Sequence, residues 1–349
     1  MKTCSAFSRL GHEVVLVAKD GGSTSDAHAV YCVPPTFEID RVGRPSRRGG
    51  GLFYAAGMGH RLLSRRRWAD LVYCRDPIGA VIATQLRLPT VFEAHEVPEA
   101  RWLQSVLRRA LGRCVATVAI THALERDLRA TDIQPVDRPV IVSPDACDPP
   151  RDPPRKRPPG SPPTVGYVGS LYPGRGIETI LGLAEAMPDL RFSVVGGSED
   201  DLARLRPQAP ANVTLHGFRM QAELPGFYET FDVVVMPHSL RGVAGATKTS
   251  DISKWTSPMK MFEYMASGVP LVASRLPVLQ EVLRDGENAI IAADESIATW
   301  GAAIRRLLAD DELRFRLAHR AHVELIERYT WDARAREIMT SLDKLRAHL

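Results

Sequence analysis

Residues 256–274 read TSPMKMFEYMASGVPLVAS, one complete helix-to-strand unit. Ser257 is a preferred N-cap residue, and Pro258 at the first helical position gives up an N–H that has no intrahelical partner there. Met261, Phe262, Met265 and Ala266 form a packing face at helical spacing. Gly268 ends the helix, and Pro270 blocks its continuation and opens a strand over 270–273. A helix start of this kind presents free N–H groups and the positive end of the dipole. That is an anion site worth about 0.3–2 kcal/mol per charge. Lys260 in the first turn opposes the dipole, and an anionic ligand resolves the conflict. Glu263, one turn further on, is placed to accept both hydroxyls of a ribose.

The alternation continues in both directions. Toward the C-terminus, 289–291 read as a strand, 297–308 and 312–329 as helices, and 331–347 as a last amphipathic helix. Toward the N-terminus, strands are expected at 232–236, 213–216, 191–195 and 165–168, with a helix over 176–187. Residues 149–164, PPRDPPRKRPPGSPPT, carry proline at a density that neither a helix nor a central strand accepts. They read as a stiff, extended linker. Ahead of it, strands at 14–18, 29–33, 70–74, 89–93, 115–121 and 139–143 alternate with helices over 53–65, 78–86, 101–113 and 122–130. This spacing predicts an α/β fold with two Rossmann-like, doubly wound parallel-sheet domains. The expected boundaries are 1–150, a Pro-rich linker over 151–163, a second domain over 164–330, and 331–349 crossing back to the first. Such sheets bind ligands at the C-terminal ends of their strands, which are expected to face a shared cleft.

The 349 residues suit two ordinary domains, and 44% hydrophobic with 25% charged residues are globular values. A net charge of +4 gives no nucleic-acid footprint. Cys4, Cys32, Cys74, Cys114 and Cys147 are scattered, without zinc spacing, and read as reduced thiols of a cytoplasmic protein. No apolar run approaches a membrane span or the core of a signal peptide.

The stretch at 256–274 resembles the donor-site helix of retaining family 4 glycosyltransferases of the GT-B fold. That family carries a glutamate, seven residues, then a second, ribose-binding glutamate. Glu263 matches the second, whereas Trp255 stands where the first would be. A subset of the family shows Ser-Pro-x-Lys instead, as here, and the resemblance implies that Lys260 contacts the donor phosphates. Residues 165–176, VGYVGSLYPGRG, resemble the strand and loop that open the donor domain. Gly169 permits close backbone approach, Arg175 stands where a lysine usually meets the diphosphate, and Ser170 stands near the family's other basic position. Val195, Gly196 and Gly197 resemble the next strand end. In the first domain, 92–96 (FEAHE) place His95 where the family has a histidine that contacts the donor sugar.

The resemblance implies transfer of a sugar from a nucleotide-sugar donor with retention of configuration. His95, Lys260 and Arg175 are the implied catalytic groups. Gly169, Ser170, Arg175, Gly197, Ser257, Pro258, Met259, Lys260 and Glu263 are the implied donor contacts. The leaving diphosphate needs fixed positive groups or a metal. No Asp-x-Asp stands at a strand end, so neither a metal nor a cofactor beyond the co-substrate is expected. The partners expected are the donor and a glycan, glycolipid or small-molecule acceptor. A non-catalytic sugar-nucleotide-binding protein and a GT-B sugar-nucleotide epimerase are the alternatives.

Residues 101–113, RWLQSVLRRALGR, join an apolar face to four arginines, with 64–67 (SRRR) and 44–48 (RPSRR) nearby in sequence. That composition suits an anionic membrane surface on the inner face of the membrane, and equally a core-facing helix with a solvated basic side. Only thirteen residues precede Val14. A first Rossmann unit needs a strand, a glycine turn and a helix in that space, so a first strand upstream of Met1 is an expectation of this reading.

Overall fold

The computed structural model describes residues 1–21, 25–43, 50–150, 152–154, 162–240, 242 and 253–347. The basic segment at 44–48 and most of the Pro-rich segment lie outside these. The chain forms two compact units, Met1–Pro144 with Trp331–Leu349, and Asp145–Thr330.

The first unit runs α1 (Lys2–Arg9), β1 (Val15–Lys19), α2 (Ala27–Val30), β2 (Glu38–Val42), α3 (Gly50–Ser64), β3 (Val72–Cys74), α4 (Pro77–Gln85), β4 (Thr90–Ala94), α5 (Arg101–Leu111), β5 (Ala116–Ala119), α6 (His122–Ala130) and β6 (Val140–Val142). The second runs β7 (Thr164–Val168), α7 (Ile177–Ala186), β8 (Arg191–Val195), α8 (Glu199–Leu205), β9 (Val213–Gly217), α9 (Leu224–Tyr228), β10 (Val233–Met236), α10 (Met259–Ser267), β11 (Leu271–Ser274), β12 (Ile290–Ala292), α11 (Ile297–Ala309) and α12 (Asp311–Glu324). The helix α13 (Trp331–Ala347) then packs in the first unit.

In the first unit β3, β4, β5 and β6 pair in that order as a parallel sheet, and β1 pairs with β2 as a separate parallel ladder. Val91, Ala116 and Val118 bury one face of the larger sheet against Ile338 and Leu342 of α13. The helix α5 turns Leu107, Ala110 and Leu111 inward and keeps Arg101, Arg108 and Arg109 exposed. It is a core-facing helix with a solvated basic side, except that Trp102 is 70% exposed. Arg65 of the SRRR run pairs with Glu38 and Asp40 of β2, at 3.0 and 2.7 Å.

The second unit holds one six-stranded parallel sheet in the order β12-β11-β10-β7-β8-β9. Its centre is β10, where Val233, Val234, Val235 and Met236 are fully buried. Each such side chain contributes about 1.5–3 kcal/mol. A continuous apolar run without alternation is the pattern of a strand covered on both faces.

Three local expectations are corrected. Residues 29–33 are not a strand. Asp26 caps the short helix α2 by accepting the His28 N–H at 2.9 Å, and the strand beside β1 is 38–42. The run AVYCV is apolar enough for either element, whereas EIDRV at a sheet edge is too polar to stand out. Secondly, Ser257 does not cap α10. Pro258 is the N-cap, without a side-chain cap bond, and the Ser257 hydroxyl accepts the Asp145 backbone N–H at 2.9 Å. The hydroxyl is drawn to a donor far off in sequence that local reading cannot see. Thirdly, the helix expected over 312–329 changes winding: α12 ends at Glu324 and a π-helical turn spans Leu325–Tyr329. The short helices α8 and α9 were not anticipated, although Ser198 and Asp201 form a capping box at the start of α8.

Candidate functional site

Strand order decides where a ligand fits in the second unit. From β7 the chain proceeds outward through β8 and β9, then returns to the other side of β7 with β10, β11 and β12. The reversal between β7 and β10 is a topological switch point. The crevice beyond the carboxyl ends of those two strands is the usual ligand site of an open parallel sheet. Val168 ends β7 and leads into Gly169 and Ser170, while Met236 ends β10 and leads into Pro237 and His238.

The loop after β7 is drawn tightly onto the exit of β10. The Ser239 N–H donates to the Gly174 carbonyl at 2.8 Å. Gly176 has φ +87°, and a Cβ there would lie 1.9 Å from the Pro237 carbonyl oxygen. Only glycine fits, by conformation and by space. The neighbouring strand end is as close, since a Cβ on Gly196 would stand 2.0 Å from the Gly169 carbonyl oxygen. Gly197 follows with φ +86°.

Around this backbone the structure gathers positive groups. Lys260, in the first turn of α10, donates to the Tyr167 hydroxyl at 3.0 Å, and its ammonium stands 4.3 Å from the centre of that ring. A Cβ on Gly169 would lie 3.3 Å from Lys260 Nζ. The Tyr167 hydroxyl donates onward to the Ser170 carbonyl at 2.8 Å. Arg175 approaches His238 Nε2 at 3.4 Å. His238 is 1% exposed, and the Ser274 hydroxyl at the end of β11 donates to its carbonyl at 2.5 Å. Burial pushes the Lys260 ammonium well below its usual range, and Arg175 pushes it further, with Glu263 opposing. Burial lowers the Arg175 guanidinium too. It holds the His238 imidazole well below its usual range, with Lys260 and Arg175 adding to the effect. Three groups are thus penalised for carrying positive charge in one place, which an anion would relieve.

Of the donor contacts expected from sequence, the structure brings Gly169, Ser170, Arg175 and Lys260 together and sets the Gly196-Gly197 turn against Gly169. Ser257, Pro258 and Met259 lead into the same helix start. Glu263 lies half-buried one turn along α10 from Lys260. Sequence reading missed Tyr167 and His238. The available signal was position: each stands at the end of a central strand on the two sides of the switch point.

His95 belongs to the first unit, just beyond β4. Its Nε2 lies 2.6 Å from Glu93 Oε1, and Arg75 approaches its Nδ1 at 3.3 Å. A carboxylate only accepts and a guanidinium only donates, so Nε2 carries the proton in this arrangement. Glu93 is 1% exposed and also takes hydrogen bonds from Arg334 of α13, at 2.9 Å, and from the Tyr73 hydroxyl. Burial alone would raise the Glu93 carboxyl. Arg334, then His95 and Arg75, outweigh it and hold the group well below the usual carboxylate range. Arg334 donates besides to the carbonyls of Pro144, at 2.7 Å, and Ser143, at 3.3 Å.

Comparison with known proteins agrees with this architecture. Residues 1–149 match the Glycosyltransferase Family 4 domain, and residues 162–310 match Glycosyl transferases group 1. The lipopolysaccharide core biosynthesis glycosyltransferase LpsE of Rhizobium meliloti is 25% identical over 177 residues, covering 50% of this chain and 48% of that protein. The chain spans about half the length of the curated relatives it matches, or less. Anabaena HepE, solved in complex with UDP, superposes with a TM-score of 0.66 at 16% identity, covering 95% of this chain and 99% of that one. Sucrose-phosphate synthase from Thermosynechococcus elongatus gives 0.72 at 16% identity, over 100% and 92% of the two chains. The Glycosyltransferase Family 4 match thus covers the first unit and the Glycosyl transferases group 1 match falls within the second, and the chain has the GT-B fold of two Rossmann-like parallel-sheet domains.

Proposed function

We propose that the chain transfers a sugar from a nucleoside-diphosphate sugar to an acceptor, with retention of configuration and without a metal ion. The observation that carries this reading is the cluster of Arg175, Lys260 and the buried His238 at the β7–β10 switch point. Breaking a glycosyl–diphosphate bond builds negative charge on the leaving oxygens. Fixed cations in a desolvated site stabilise that charge without reorganising. Lys260 and Arg175 hold the diphosphate, the Gly169–Ser170 backbone admits it closely, and Glu263 accepts the ribose hydroxyls. The UDP held by the fold neighbour HepE is a ligand of this class. His95 takes the sugar. Its Nδ1 is shared with Arg75, whose side chain is 56% exposed and free to yield to a hydroxyl.

The test is nucleoside-diphosphate release from a panel of UDP-, GDP- and TDP-sugars with candidate glycan and lipid acceptors. Release from one donor is expected, and Glu263→Ala should lower its kcat/KM about 10- to 100-fold, since hydrogen bonds to a charged group are worth about 1.5–3 kcal/mol. Release that ignores Glu263 would sink the assignment. Tight donor binding without release would favour a non-catalytic sugar-nucleotide-binding protein, the reading to which Trp255 in place of a carboxylate points. Release or conversion without any acceptor would favour an epimerase.

The acceptor side is read as able to rest on an anionic membrane surface. No helix among the described residues is long and apolar enough to cross a membrane, whereas α5 exposes Trp102 beside Arg101, Arg108 and Arg109. Sedimentation with anionic vesicles at low salt should carry the protein down, and Trp102→Ala should weaken it. Equal recovery with neutral vesicles would refute surface attachment.

A further inference from the structure

We propose that His238 is the proton-carrying member of the Arg175–His238–Lys260 cluster, taking up one proton from solvent as the donor diphosphate binds. The inference rests on the nucleotide-sugar reading of this site and adds to it a linkage between donor binding and pH.

The tautomer follows from geometry. Arg175 has only donors, so the nitrogen it meets, His238 Nε2, offers a lone pair and Nδ1 carries the proton. His238 is 1% exposed, and Nδ1 has no hydrogen-bond partner among the described residues. A buried N–H left without an acceptor is unfavourable, and a phosphate oxygen beyond the end of β10 would supply one. The groups bearing on the imidazole come from four elements. They are Arg175 from the loop after β7, Lys260 from α10, the Tyr167 hydroxyl at the end of β7, which Lys260 engages, and the Ser274 hydroxyl from β11 on the His238 carbonyl. Glu263, on α10, is the acidic group acting on Lys260.

Among the three candidate proton carriers only His238 has a position to fill. A guanidinium does not give up its proton. Lys260 has an acceptor in the Tyr167 hydroxyl and lies over the ring, and these contacts, with Glu263, favour its charged form against the burial and the Arg175 charge that lower it. With Arg175 and Lys260 at hand, His238 stays neutral before an anion arrives, because burial and both cations disfavour the imidazolium. A diphosphate reverses the sign of the local field. The proton then binds Nε2, which can no longer accept from Arg175. The imidazolium is then a pure donor like the guanidinium, and both turn to the phosphate oxygens, so protonation releases the guanidinium onto the ligand.

The sign of the linkage is fixed. The bound state holds more protons than the free state, so affinity rises as pH falls. Between the free and bound values of the imidazole it changes about tenfold per pH unit for one linked proton. UDP-glucose and GDP-mannose are suitable probes, because their diphosphodiesters do not titrate near neutrality. Isothermal titration of the wild-type protein in two buffers of different ionisation enthalpy should show uptake of about one proton at pH 7. His238→Gln, checked for an intact thermal transition, should bind with uptake near zero and an affinity that is flat with pH. His238→Asn serves as the second variant. Wild-type binding without uptake would overturn the proposal, and so would uptake that persists in both variants and vanishes in Lys260→Met. If neither probe binds the wild-type protein, the nucleotide-sugar reading falls first and this inference with it.

Discussion

Replacing Arg334 with alanine is expected to lower the urea stability of the first unit by about 3–5 kcal/mol, the usual cost of breaking a buried ion pair from one side. Arg334 and Glu93 are 2% and 1% exposed and 2.9 Å apart. Truncation leaves the Glu93 carboxylate desolvated, with the Tyr73 hydroxyl, His95 and Arg75 as its remaining partners. It also strips donors from the Ser143 and Pro144 carbonyls. The pH dependence carries a definite sign. Glu93 is held below its usual value, so its contribution is fully present above the unfolded carboxyl value of about 4.3 and is lost as pH falls through the folded one. Wild-type stability should therefore drop in acid more steeply than that of Arg334→Ala. The double replacement Glu93→Leu with Arg334→Met should recover much of the loss, because removing both charges leaves nothing uncompensated. A loss below 1 kcal/mol in the single variant would show that the pair is dispensable.

Lys260→Met is expected to move stability and ligand affinity in opposite directions. Methionine has nearly the length of lysine and no charge to desolvate. The ligand-free protein should gain about 1–2 kcal/mol, as groups held for function against burial and a neighbouring cation commonly allow. Affinity for the nucleotide sugar should fall by about 2–4 kcal/mol, roughly 30- to 1,000-fold, since the phosphate loses a charged donor in a desolvated place. A thermal melt with and without donor, beside a titration, reads both. A fall in both quantities would make Lys260 a support for Tyr167 rather than a ligand group, whereas unchanged affinity would remove it from the donor site.

Much of the architecture was legible because it is written in short windows. The run VVVM at β10, the glycines at 196 and 197 that follow β8, and the αβ unit around Gly268 each follow from the local rules of burial and backbone conformation. Lys260 was legible for a related reason: a cation in the first turn of a helix violates a local rule, and such violations tend to mark sites. Where periodicity carried little information, reading failed. The apolar run at 29–33 is split between the end of the helix α2 and the turn that follows it, and the polar edge strand β2 passed unnoticed.

The sequence by itself determined two alternating α/β units, the glycine-bounded loops at their strand ends, and the residue types of the proposed diphosphate site. Only the tertiary structure decided which of those residues meet. Arg334 and Glu93 are 241 positions apart, and nothing in either neighbourhood names the other. His238 looks like an ordinary histidine after a strand until strand order puts β10 beside β7 and brings Arg175 and Lys260 to its side. Local sequence sets backbone conformation and burial. Electrostatic pairing depends on distance in space, which the order of strands in a sheet fixes and the order of residues in the chain does not.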